Sequence, residues 1–379
     1  MRSYTRTGYL LFVFFLFYGT NCQARIELLN TNSSFSHLAP KSIITSLANR
    51  SNNKVLAVGE RGHILNWKSP GDYKQEISPV ALLLTDVIIL SDGTKLAVGH
   101  DGAIISAKEN SMDWIKLFDG FELINLKIGL IKKRIRAFKK TIETITDTDA
   151  LEEADFALED LEFSLEDAGT AKISGPTLPL LSVTQTKNGS LIAVGAYGTL
   201  LKSLDLGKTW QLLDERLNNP DKYHLNSIIT DENNSTYITG EQGKVYKSID
   251  DGSTWKSINT PYNGSLFGIL SHKESGNLIT FGLKGNYFIS KDQGEHWEHF
   301  ISENRATLLA GFIKDNGDTI LVGHGGTILS FNINKPEKTN LTKHSSAAAL
   351  SAVTVLNDQL ILAGQFGIIS LNINEGIHH

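Results

Sequence analysis

Seven short glycine pairs recur along the chain, and their spacing limits the fold more than any other feature. An apolar pair followed by G-x-x-G occurs as AVGERG, AVGHDG, AVGAYG, ITGEQG, TFGLKG, LVGHGG and LAGQFG. The first glycines are Gly59, Gly99, Gly195, Gly240, Gly282, Gly323 and Gly364, with gaps of 40, 96, 45, 42, 41 and 41 residues. One unit is therefore about 42 residues, and the long gap holds an insertion of about 54. Within a unit, β-branched runs such as SVTQT, LIAVG and TLLKS alternate with Gly-, Asn- and Asp-rich turns, the pattern of short antiparallel strands. Seven units of four strands predict an all-β fold, a seven-bladed β-propeller.

A second signature follows the third strand in units three to five. SLDLGKTW, SIDDGSTW and SKDQGEHW share the pattern S-x-D-x-G-x-x-W. Asp205, Asp250 and Asp292 can bond amides of their own turn, while Gly207, Gly252 and Gly294 suit a positive φ. Trp210, Trp255 and Trp297 cover the blade with a large ring. These roles are structural and need no substrate. Unit two keeps only Trp114, and unit seven reaches the Trp position at His379, the last residue. Its fourth strand is expected from the other end of the sequence, where Arg25-Ile-Glu-Leu-Leu29 reads as a strand closing the ring in blade seven.

The octapeptide resembles the neuraminidase-type Asp-box. Combined with the VG-x-x-G turns over all units, it is similar to the photosystem II assembly and stability factors and to their relatives in non-photosynthetic bacteria. The resemblance spans the chain from about residue 25 onward, outside 119–175. It implies a non-enzymatic propeller that binds membrane-protein partners, for the bacterial relatives often a transporter of the RND class.

If the Asp-containing turns line one face, the glycine turns and inter-blade connections line the other. Its rim then carries Glu60, Arg61, His100, Asp101, Tyr197, Glu241, Gln242, Lys284, His324, Gln365 and Phe366, with Arg216 and Arg305 in connections nearby. This varied set is the expected binding surface, although ordinary turn residues would look similar. The alternative is a sialidase-like glycoside hydrolase or carbohydrate-binding propeller, with Arg61, Arg216 and Arg305 gripping a carboxylate. The Arg-x-Pro motif near the start of sialidases is missing, since Arg25 and Arg50 precede Ile26-Glu27 and Ser51-Asn52. Histidines are scattered and no glycine loop opens a helix, so no metal and no cofactor are expected.

The insertion, 119–175, changes period. Ile124, Ile128, Ile131, Ile135, Phe138, Ile142 and Ile145 follow spacings of 4 and 3, as do Leu151, Ala154, Leu158, Leu161, Leu165 and Ala168. These are heptad seams, and the TDTD link between them predicts an antiparallel α-helical hairpin. The first helix carries seven bases from Lys127 to Lys140 and two acids, whereas 147–167 holds ten acids and no base. Leu123, Leu126 and Leu130, and on the second helix Phe156 and Phe163, fall at outward positions where a free hairpin should be polar, and so are candidate partner contacts, the alternative for the leucines being that the base of the arm folds down onto the propeller.

The opening MRSYTRTG, the apolar YLLFVFFLF and Ala24 predict a secretory signal peptide over 1–24 and a periplasmic protein. The apolar run is too short to span a bilayer. Acylation of Cys22, the single cysteine, is the competing reading, and Gly19-Thr20-Asn21 matches it poorly. Loss of Arg2 and Arg6 takes the formal charge from -5 to -7, which speaks against a nucleic-acid partner. The expected organisation is 25–118 for blades one and two with the closing strand, 119–175 for the hairpin and 176–379 for blades three to seven.

Overall fold

A computed structural model describes residues 27–51 and 54–372. The expected signal peptide, Cys22, Arg25 and His379 lie outside the described residues. The strands form seven antiparallel sheets over 44–76, 84–118, 180–212, 225–258, 266–301, 308–343 and 350–372. Each sheet is a meander in which consecutive strands pair, and the innermost strands pack in sequence around a ring, the seventh returning to the first. The fold is a seven-bladed propeller with an inserted helical hairpin.

The recurring glycine pair has a backbone cause. The second strand is buried along its whole length between neighbouring blades in blades two to five, as at Leu191–Gly195, and beyond its first residue in the other three. Where it ends, it crosses the entry of the innermost strand so closely that a Cβ on Gly59 would lie 2.0 Å from Ile43 O. The next amide, Glu60 N–H, donates to that carbonyl at 3.0 Å, and the equivalent bond recurs in all seven blades. The chain then turns back with Gly62 at φ 70°. The first glycine answers a close approach and the second a left-handed conformation.

The octapeptide turn is held together by its own polar atoms. Ser203 Oγ donates to Asp205 Oδ1 at 2.8 Å, and Thr209 N–H and Oγ1 donate to the two Asp205 oxygens at 2.9 and 2.7 Å. Trp210 Nε1 donates to Gly207 O at 3.0 Å. The same Ser–Asp pairing recurs at Asp250 and Asp292. Hydrogen bonds, led by the Thr209 hydroxyl, hold the Asp205 carboxyl down at about 2.

Blades one and two lack the octapeptide and use another device. Glu76, on the outer strand of blade one (Asp72–Glu76), is 3% exposed, and Lys95 of blade two is 6% exposed. Lys95 Nζ donates to Glu76 Oε1 and Oε2 at 3.0 and 2.7 Å and to Ser111 O at 2.8 Å. Trp114 Nε1 also donates to Glu76 Oε2, at 2.6 Å. The tryptophan retained in unit two is thus anchored on a buried ion pair between blades.

Ring closure differs from the sequence expectation. Residues 27–29 form a helical turn, and the sheet of blade seven has three strands among the described residues. Leu29 is fully buried, packed with Val58, Val80, Leu82 and Leu84 between blades one and two. From there the chain runs along the outer edge of blade one, with Ser33 N–H donating to Ser78 O at 2.8 Å and Gln75 bonding Ser34 and Ser36. Alternating apolar residues at 25–29 fit either role; a packing site between blades outcompetes pairing in blade seven.

The seam itself closes with a bond that other seams share. The second residue of an innermost strand donates its side chain to the first carbonyl of a neighbouring one: Thr45 to Leu84, Thr85 to Leu180, Asn226 to Leu266 and, at the seam, Ser351 to Ile44 at 2.6 Å. Asp86 adds a half-buried clasp across three blades. It accepts from Ser46 Oγ, Val87 N–H, Ser182 Oγ and Val183 N–H at 2.8–3.0 Å. Burial pushes its carboxyl up, against those four bonds.

The hairpin consists of α1 (Gly120–Ile142) and α2 (Thr148–Ser174). Asp119 and Glu122 form a capping box on α1, and Asp147 caps α2 through Ala150 N–H at 2.9 Å. Ile124, Ile135 and Ala154 are buried in the seam, which Lys139 and Glu162 bridge at 2.7 Å.

Candidate partner-binding surfaces

The glycine turns lie between the second and third strands, the octapeptide turns between the third and fourth, so the two sets occupy opposite faces. The hairpin replaces the connection from blade two to blade three and leaves from the glycine-turn face. Its base is built on that face: a Cβ on Gly120 would lie 2.2 Å from Pro176 Cβ and 2.6 Å from Asp101 O.

This base corrects several expectations. Asp101 is 1% exposed, covered where α1 starts over the glycine turn of blade two. Leu126 and Leu130 pack with Leu123 against a cluster that includes Leu90, Leu180, Leu191 and Trp210. They fix the arm on blades two and three and are not open to a partner. Arg134 reinforces the attachment through Glu215 at 2.7 Å. Burial holds the Lys127 amine below its usual range; Asp214 opposes the shift and Lys222 adds to it.

The rim residues divide by position in the turn. The first residue after the leading glycine often serves the backbone. Glu60 accepts from Ile43 N–H at 3.2 Å, Glu241 from His224 N–H at 2.9 Å and Gln365 from Ala349 N–H at 3.2 Å. Those three side chains stabilise entry to the innermost strand. His100 is half-buried and His324 exposed. The second residue is held in the left-handed region, with φ of 51–57° across Arg61, Asp101, Tyr197, Gln242, Lys284 and the connection residue Arg305. Apart from Asp101, these side chains are exposed, as is Phe366. Tyr197 is braced edge-on against His224, 4.9 Å between ring centres, and its N–H donates to His224 Nδ1 at 2.8 Å.

The three arginines of the sialidase alternative do not converge. Arg216 donates to Ser253 O at 2.7 Å, in the octapeptide turn of blade four. Arg61 and Arg305 lie on blade one and after blade five, which are not neighbours. Among the described residues no group of three or more His, Cys, Asp or Glu is placed to hold a metal. The central channel is a cavity of about 530 Å³ bounded by all seven innermost strands, including Thr45, Asp86, Asn226 and Ser351.

On the arm, Phe156 and Phe163 stay open, 62% and 67% exposed. Sequence reasoning missed Gly120, Lys116 and the Arg134–Glu215 tie. Lys116 joins Asp119 at 2.9 Å to Asn30 at 2.8 Å, linking the arm to the N-terminal segment. Only the D-G-F-E run at 119–122, a capping-box pattern, could have signalled the arm's first turn.

Residues 180–361 match the family described as photosynthesis system II assembly factor YCF48. Over these residues the chain is similar to the YCF48 family. The match covers blades three to six and the start of blade seven, where the octapeptides are found. Three solved structures share the fold. YCF48 bound to D1 peptide aligns with TM-score 0.55 and 13% identity, over 86% of this chain and 92% of that one. Virginiamycin B lyase from Staphylococcus aureus gives 0.62 and 11%, over 90% and 98%. The WD40 propeller domain of Doa1 gives 0.59 and 9%, over 90% and 95%. At these identities the likeness concerns the fold. A sequence search of curated proteins finds no match. Among the described residues, no helix of this propeller is long and apolar enough to cross a membrane.

Proposed function

We propose that this propeller is a non-catalytic periplasmic adaptor that assists assembly of an envelope membrane-protein complex, with an RND-type transporter as the candidate partner. The observation that carries this reading is the placement of both open surfaces. The side chains thrown outward on the glycine-turn face and the arm rooted on that same face can engage one complex together. The family match supports an assembly role, and a structural neighbour, YCF48, is itself solved with a peptide bound. The transporter enters through the sequence resemblance, and the periplasm through the opening residues.

The test is in-cell photo-crosslinking from positions 197 and 366, with adducts identified by mass spectrometry. The expected result is an envelope membrane protein captured from both positions. Adducts with soluble proteins alone, or with none, would overturn the proposal. Alanine at Arg61, Arg216 and Arg305 should leave that capture largely intact, whereas a sugar-binding site built on them would lose its ligand.

A further inference from the structure

The open side of α2 is the least explained surface of the molecule. Its seam residues are used against α1, and the second apolar face of α1 is used against the propeller. Phe156 and Phe163 are seven residues apart, so they project within about 20° of each other and about 10 Å apart along the helix. Among the described residues, nothing covers them. Their setting is strongly one-sided in charge. Glu152, Glu159, Glu153 and Asp160 lie within about 60° of the stripe on its two sides. All four are exposed, and no base lies between 147 and 167. Beside the stripe runs a groove between the two helices, a cavity of about 500 Å³ lined by Ala137, Phe138, Thr141, Ala157, Leu161 and Ser164, with Asp160 on its α2 side and Arg134, paired with Glu215, on its α1 side.

We propose that α2 docks a basic amphipathic helix of the partner along the Phe156–Phe163 stripe, beside this groove, with its Lys and Arg side chains on the acidic flanks of α2. An apolar stripe of heptad period fits a helix, which presents apolar residues at matching spacing. The charge selects the sign of its flanks. It also disfavours the other occupants. An anionic membrane surface would repel this face. A second copy would have to offer α1, whose free side carries Lys132, Lys133, Arg136 and Lys140; no large apolar residue of α1 is exposed to receive the phenylalanines.

The inference rests on the adaptor reading, and its test is independent of it. The chain lacking residues 1–24 is titrated, by fluorescence anisotropy, with a synthetic peptide of roughly 18 residues carrying Leu at helical spacing and Lys or Arg elsewhere. Two control peptides replace every base by Glu, or every Leu by Ser. The basic amphipathic peptide should bind, the controls should not, and salt should weaken the complex. F156S/F163S should lower affinity by about tenfold or more with an unchanged circular dichroism spectrum. Equal binding of all three peptides, no binding, or full retention by F156S/F163S would overturn the inference. So would a self-association in sedimentation, or a binding to anionic vesicles, that F156S/F163S abolishes. If the peptide fails while crosslinks from 197 and 366 capture an envelope protein, the adaptor reading stands and this inference falls. Binding without those crosslinks gives the reverse.

Discussion

Replacing Lys95 by Met would remove the cation that faces Glu76 while keeping most of the apolar stem. Glu76 would remain 3% exposed, with Trp114 Nε1 and Asn66 Nδ2 as its remaining donors. Removing one partner of a buried pair costs about 3–5 kcal/mol, because the other charge stays out of water. For a chain of this length the unfolding entropy is roughly 0.7–0.8 kcal/mol per kelvin, which converts that loss to a melting temperature about 4–7 °C lower. The diagnostic is the double variant. Adding Glu76→Gln removes the stranded charge and leaves a side chain that still accepts from Trp114. E76Q/K95M should therefore be more stable than K95M alone, by about 2 kcal/mol or more. Calorimetry or urea unfolding of the wild type, both single variants and the double completes the cycle. A K95M loss below about 1 kcal/mol, or a double variant less stable than K95M, would refute the claim that this pair replaces the octapeptide between blades one and two.

Leu29→Ala should cost about 2–5 kcal/mol in urea unfolding, as a side chain fully buried between blades is lost; a negligible change would mean the N-terminal segment is not part of the core. Gly120→Ala should loosen the arm, since the added Cβ meets Pro176, and limited proteolysis should then cleave the hairpin first while the propeller persists. Acid unfolding should reflect the octapeptides. Asp205 and Asp292 are held at about 2 by bonds to Thr209 and His296; at Asp250 burial raises the value, and bonds from Thr254 outweigh it, again giving about 2. These values lie below the ordinary 3.8, so the stabilisation is complete above about pH 4 and fades as pH falls through about 2. D250N should flatten that acid arm, and an unchanged pH profile would count against it.

The ring was readable because its constraint acts on the backbone. Gly59 and its equivalents are fixed by a carbonyl that leaves no room for a Cβ, so the signal survives in units one, six and seven where the octapeptide is gone. The hairpin was readable for a similar reason: its seam repeats locally. Relations across blades were not. Glu76, Lys95 and Trp114 are 19 residues apart in each step and form no pattern until the blades meet. Residues 25–29 look like a strand because local alternation does not say which neighbour the apolar residues will find. Leu126 and Leu130 were apolar on an outward face because that face has a propeller beneath it. On the rim, Glu60, Glu241 and Gln365 looked like binding residues, yet they hold amides of their own blades.

Blade six places Gly325 at φ 66°, where its sister blades carry Arg61, Tyr197, Gln242 and Lys284. Glycine is the residue this backbone favours, and each side chain there costs roughly 1 kcal/mol of left-handed strain. Selection for thermal hardiness alone would drift these four sites toward glycine and leave a smooth ring. The chain instead tolerates a less durable frame that displays four different chemical groups, so any effort to toughen it by substitution would erase its outward character first.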